Sequence, residues 1–90
     1  MSERFVVYAH ARTLERAAEL GFDGVLENAV TEAILAGRVR SRGSVRLVEV
    51  DGLLVHTQAH TRTPSGRLRV LAVHVERAPA GVRLTDRRTR

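Results

Sequence analysis

Three of the four histidines fall in one stretch, Leu53 to Arg77, which reads LLVHTQAH-TRTPSGR-LRVLAVHVER. Histidine is the side chain that takes and gives protons near neutral pH. Two runs rich in β-branched residues flank Thr63-Pro64-Ser65-Gly66-Arg67. Pro64 suits the first central position of a type I turn, Ser65 accepts the second, and Gly66 can take the left-handed conformation that follows. The spacing predicts a hairpin with Thr63 opposite Arg67, and therefore His56 opposite His74. Side chains alternate faces along a strand, so Gln58, His60 and Arg62 are expected on the side of the two histidines. Phosphoryl transfer within RNA needs a base for the 2′-hydroxyl, an acid for the leaving 5′-oxygen and a cation for the phosphate. His56, His74 and Arg62 supply those types, Arg being suited to bidentate phosphate contact. Gln58 could orient a histidine or meet a base edge.

Other chemistries find less support. His56 and His60 are four residues apart on a strand, roughly 13 Å, too far to share an ion. His56 and His74 could share one, but Glu49 and Glu76 are the only acidic third ligands nearby. Neither a metal nor any other cofactor is therefore expected. There is no cysteine, which excludes disulfides and thiolate metal sites. The chain shows no glycine-rich phosphate loop and no Ser/His/Asp signature. His10 stands alone where a strand meets a helix, and closing the helix start by hydrogen bonding is its plainer role.

Ninety residues make one domain. With 43% hydrophobic residues but only two Phe, one Tyr and no Trp, its core must come from Val, Leu and Ala. The net charge is +5, which favours contact with nucleic acid, acidic protein or anionic lipid. All 15 basic residues are Arg, as the codon usage of a GC-rich bacterial genome would also produce. Arg38 to Gly43, RVRSRG, reads as a polar loop, with Arg38, Arg40 and Arg42 as candidate nucleic-acid contacts beside Gln58 and His60. No apolar run is long enough to span a bilayer, and the opening MSERFVVYAHA lacks a signal-peptide h-region. A cytoplasmic protein without a membrane partner is expected.

Arg4 to Ala9 is a strand. Ala11 to Leu20 is a helix with Leu14, Ala17 and Ala18 on one face and Gly21 as its stop. Asp23 reads as the N-cap of a second helix, Gly24 to Ala36, with an apolar stripe of Leu26, Ala29, Val30, Ala33 and Ile34. Two or three linking residues would make the pair a helical hairpin. Ser44 to Val50 is a strand, and Asp51-Gly52 is a two-residue hairpin turn that sets Val50 opposite Leu53 and Leu47 opposite His56. The fold class is α+β: a strand, a helical hairpin, then a three-stranded antiparallel meander, in two layers. The domain is expected over 1–85, with a short edge strand at 82–85 and a disordered basic tail at 86–90.

The register sorts the sheet faces. Val48, Val50, Leu53, Val55, Ala59, Leu71, Val73 and Val75 should meet the helices. The other side should hold Glu49, His56, Gln58, His60, Arg62, His74 and Glu76, mixed with Val45, Leu47, Leu54, Leu68, Val70 and Ala72. A half-apolar second face suggests partial cover by a tail, a partner or a second copy.

The segment Tyr8 to Arg38, with His10, Ala11, Arg16, Gly21, Phe22, Val30, Ala33 and Gly37 at matching places, resembles the opening of small bacterial domains akin to the RelE/BrnT-type toxins of toxin–antitoxin systems. The DG hairpin and the final strand follow the same pattern. The resemblance implies a RelE-like two-layer sandwich, an endoribonuclease that uses its sheet face on RNA, and an acidic antitoxin protein as partner. Toxins of that group rely on basic residues, often Lys, and on aromatics near the RNA, whereas this chain has no Lys and only Tyr8 as a phenol. The leading expectation is a toxin-type ribonuclease using His56, His74 and Arg62. Two alternatives stand beside it: a non-catalytic basic nucleic-acid-binding module, and a small homodimeric interaction protein.

Overall fold

The sheet forms because most of its strands carry alternating apolar residues that turn one face to the helices. The computed structural model describes residues 4–79. In chain order the elements are β1 (Phe5–Ala9), α1 (Ala11–Glu19), α2 (Leu26–Leu35), β2 (Val39–Arg42), β3 (Val45–Val50), β4 (Leu53–Arg62) and β5 (Leu68–Arg77). They build an α+β fold around one mixed sheet of order β1-β5-β4-β3-β2. β2 to β5 run as an antiparallel meander, and β1 closes the far side by pairing parallel to β5, Phe5 beside Leu68 and Ala9 beside Ala72. The expected meander thus gains a strand. Arg38 to Gly43 is not a loop, because Val39–Arg42 pairs with Val45–Val48 across the Gly43-Ser44 turn.

Both helices end where glycine permits a left-handed residue. The Phe22 amide donates to the Ala17 carbonyl and the Gly21 amide to that of Ala18. The Arg38 amide donates to Ala33 and the Gly37 amide to Ile34 in the same way. These are Schellman closures, and they satisfy carbonyls the helix leaves orphaned. The start of α2 differs from expectation. Val25, not Asp23, holds the N-cap position, and it offers no side-chain cap. The link between the helices therefore spans residues 20–25, with Phe22 tucked against the core. α1 docks chiefly on β5, and α2 on β1 and β3, so the helices pack on the sheet more than on each other. α1 buries Thr13 and Ala17, while Leu14 and Ala18 face outward, a helix face rotated from the expected one.

The core lies between helices and sheet. Leu26, Val30 and Ala33 of α2 and Ala17 of α1 meet Val7, Val48, Val50, Leu53, Val55, Val70, Ala72 and Val75. Val70 and Ala72, with Leu68 packed alongside, thus sit on the helix side, opposite to the expected face. The reason is a pair of register shifts between β4 and β5, one between His56 and Thr57 and one between Ala59 and Arg62. At the first, β5 carries an extra residue, Val73. At the second, β4 carries an extra residue, so the two shifts cancel. A bulge re-aims the side chains beyond it. Leu68, Val70 and Ala72 turn inward, while Leu71 pairs with Gln58 and leaves the helix side. On the helix-free face Leu47 and Leu54 form a small buried cluster with Val45 and Ala78 packed against it.

The expected edge strand at 82–85 and the basic tail at 86–90 lie outside the described residues. Among the described residues no helix is long and apolar enough to cross a membrane.

Candidate active site

The hairpin between β4 and β5 sets the register that brings the histidines together, and the turn before β4 adds β3 to the same row. Asp51 and Gly52 both have positive φ, 48° and 79°, the backbone of a type I′ turn. It places Val50 opposite Leu53 and Leu47 opposite His56. At the other end the Thr63 amide donates to the Arg67 carbonyl at 2.7 Å and the Gly66 amide to the Thr63 carbonyl at 2.9 Å. Gly66 has φ of 92°, as the hairpin requires. His56 pairs with His74. Their ring centroids lie 4.9 Å apart, edge to face at 77°.

Glu76 completes the group. Two residues beyond His74 on β5, it shares that strand face, and its Oε2 lies 2.8 Å from Nε2 of His56. With Glu76 ionised, Nε2 of His56 must carry the proton it donates, which leaves Nδ1 as the lone-pair nitrogen of the neutral ring. The bond to His56 holds the Glu76 carboxyl below the usual carboxylate range, and the nearby charges of His56, His74 and Arg42 act in the same direction, against a smaller opposing effect of burial. The side chain of Glu76 is 49% exposed, so solvent screens the pair and its worth stays within about 1 kcal/mol.

A carboxyl lowered in the fold contributes stability that is complete above its unfolded value and is lost as pH falls through its folded value. Glu76→Gln lacks that contribution at every pH. The wild type should therefore melt slightly above Glu76→Gln at neutral pH, and the gap should close as the pH drops through the titration of Glu76. Thermal melts of both proteins across an acid series check this, and a gap indifferent to pH would contradict it.

The arginines divide between the faces. Arg40 pairs with Leu47 and Arg42 with Val45, while the Glu49 amide donates to the Arg38 carbonyl, continuing the register. Leu47 is also the partner of His56, so Arg38, Arg40 and Arg42 form a stripe on the histidine face. They are spaced ~6.6 Å apart along β2. Arg40 lies in the same cross-strand row as Leu47, His56 and His74, with its backbone roughly 10 Å from that of His56. The Arg38 guanidinium also reaches back to the Glu49 carbonyl through Nε at 3.4 Å.

Arg62 does not join them. Its cross-strand partner is Leu68, which packs into the helix-side core, so the second bulge has turned Arg62 to the other face. It donates from Nη1 to the Gly66 carbonyl at 2.8 Å and stands about 20 Å along the strand from His56. Its expected role as the phosphate cation is withdrawn for that reason. His60 falls within the same bulge, exposed and about 13 Å from His56. Gln58 stays on the histidine face, exposed, between Val45 and Leu71. His10 occupies the N-cap position of α1 without a side-chain capping bond.

Tyr8 was not among the expected site residues. It is 46% exposed and pairs with Leu71, in the row of Gln58, Val45 and Arg42 on the histidine face. Its position depends on β1 pairing parallel to β5, a long-range contact with no local sequence signal. Glu76 was legible, since it follows His74 by two residues on one strand.

This face can therefore offer a proton acceptor and a proton donor to one small group, a carboxylate that orients the acceptor, a row of fixed cations and an exposed aromatic ring. His56, His74 and Glu76 also bring one nitrogen or oxygen donor each within 4.8 Å of one another. No protein-family model, curated protein or solved structure matches this chain.

Proposed function

We propose that the helix-free sheet face binds single-stranded RNA and cleaves it by histidine acid–base phosphoryl transfer. The observation that carries this reading is the His56–His74 pair at 4.9 Å with Glu76 fixed to His56. Two rings this close can reach oxygens of one phosphate through hydrogen bonds of about 2.6–3.2 Å.

His56 is the base. Its free Nδ1 takes the 2′-hydroxyl proton as the 2′-oxygen attacks phosphorus. His74 is the acid and gives its proton to the departing 5′-oxygen. The products are a 2′,3′-cyclic phosphate and a 5′-hydroxyl. Glu76 is a positioning residue that holds the tautomer of His56 and favours the imidazolium formed during transfer, as a carboxylate does behind a catalytic histidine. Arg40 and Arg42 take the role first expected of Arg62, stabilising charge on the phosphate and guiding the strand. Tyr8 offers a ring for base stacking. An acidic antitoxin-type protein, which the resemblance to RelE/BrnT toxins implies, would meet the same arginine stripe.

Induced expression of the wild type, His56→Ala and His74→Ala in a bacterial host tests the reading. Growth arrest with fragmented RNA in the wild type alone is expected. Intact RNA with the wild type, or fragmentation undiminished in both variants, would remove it.

The arginine stripe also supports a second reading, binding of RNA without cleavage. Both readings share one expectation. Each phosphate contact to a single strand contributes a slope of about −0.7 to the dependence of log affinity on log salt. Arg40→Ala should flatten that slope by about 0.7. Fluorescence anisotropy of a labelled oligonucleotide across a salt series checks this, and an unchanged slope would take Arg40 out of the interface.

A further inference from the structure

We infer that His56, His74 and Glu76 form a binding site for a late first-row divalent ion such as Zn²⁺. Their donor atoms lie within 4.8 Å of one another. Tetrahedral zinc, with bonds of about 2.0–2.2 Å, wants donors roughly 3.3–3.5 Å apart. The pair His56 Nε2 and Glu76 Oε2 is already closer than that, at 2.8 Å, with a proton where an ion would sit. His74 and Glu76 are both exposed, so side-chain rotation can supply the remaining contraction. Two features make the site more than a chance meeting of surface groups. His56 and His74 are direct cross-strand partners, and Glu76 follows on the same face of the same strand, so a paired backbone fixes all three origins. The donor set, two imidazoles and one carboxylate with a position left to solvent, is the type used by open zinc sites. Imidazole selects Zn, Cu and Ni over Mg and Ca, which prefer all-oxygen shells.

The binding stands on this geometry and not on the proposed cleavage. One consequence does rest on that reading. An ion held on Nε2 of His56 leaves that ring's proton on Nδ1, the nitrogen His56 needs free as a base, so Zn²⁺ would inhibit RNA cleavage.

The test uses the full chain without an affinity tag, titrated calorimetrically with Zn²⁺ and separately with Mg²⁺. One Zn²⁺ per chain is expected, with no saturable Mg²⁺ binding. His56→Ala, His74→Ala and Glu76→Gln should each weaken Zn²⁺ binding at least tenfold, about the lower end of what even the loss of an outer-shell partner costs. His10→Ala and His60→Ala should leave it unchanged. Circular dichroism verifies that each variant is folded, and Co²⁺ absorption in the visible range provides a second readout of the same ligands. Absence of saturable Zn²⁺ binding, binding indifferent to His74→Ala and Glu76→Gln, or loss on replacing His10 or His60 would each overturn the assignment. Because binding is the readout, failure here leaves the cleavage reading standing, and failure of cleavage leaves the site standing.

Discussion

His74→Ala should lower the rate of RNA cleavage about 10²–10⁴-fold at neutral pH, the usual contribution of a positioned general acid or base. His74 is exposed and makes its ring contact with His56, so its loss should remove the proton donor and leave the fold intact. His56→Ala should cost a similar factor. The double variant should lose little more than either single one, because residues that act as a unit are strongly non-additive. The wild type needs one ring neutral and one charged. Its pH–rate profile should therefore be bell-shaped. Each single variant should lose the limb of the group it lacks. Steady-state rates on a fluorogenic oligoribonucleotide across pH check both statements, and additive losses would contradict a paired mechanism.

Leu26→Ala should destabilise the fold by about 2–5 kcal/mol. Leu26 opens α2, is 2% exposed and joins the cluster in which Val30 and Ala33 bury the helix against the sheet. α2 has no side-chain cap at its N-terminus, so packing must hold its first turn. A domain of this size has only about 5–15 kcal/mol in total, and the loss is a large fraction of it. Urea denaturation of the wild type and the variant measures the difference. A loss below about 1 kcal/mol would mean that the start of α2 is not anchored where Leu26 places it.

The histidine pair was legible because both hairpin turns carry strong local chemistry. Asp51-Gly52 and Pro64-Ser65-Gly66 pin the two ends of β4, and His56 falls opposite His74 as the turns dictate. The stretch between them was not legible. Two bulges of opposite sense leave the ends in register while reversing the faces of Leu68, Val70, Ala72 and Arg62. Strict alternation has no means of placing a bulge, so it assigned Arg62 to the wrong side. β2 was missed for a different reason. Arg38 to Gly43 lacks the apolar alternation of a strand, and Val39–Arg42 pairs at the sheet edge, where outward-facing charge is tolerated. The consequence favours function, since the pairing turns three loop-like arginines into one stripe beside His56. Asp23 was a sound cap by residue type, but the helix starts at Leu26, where its buried face begins.

The central claim is that the His56–His74 face cleaves RNA through the 2′-hydroxyl. Its most direct test is mass spectrometry of a single-stranded oligoribonucleotide incubated with the purified full chain, beside a version carrying one 2′-deoxy sugar. Fragments ending in 2′,3′-cyclic phosphate and 5′-hydroxyl are expected, with no cleavage immediately 3′ to the deoxy position. Intact RNA, 3′-hydroxyl ends or cleavage at the deoxy site would contradict it.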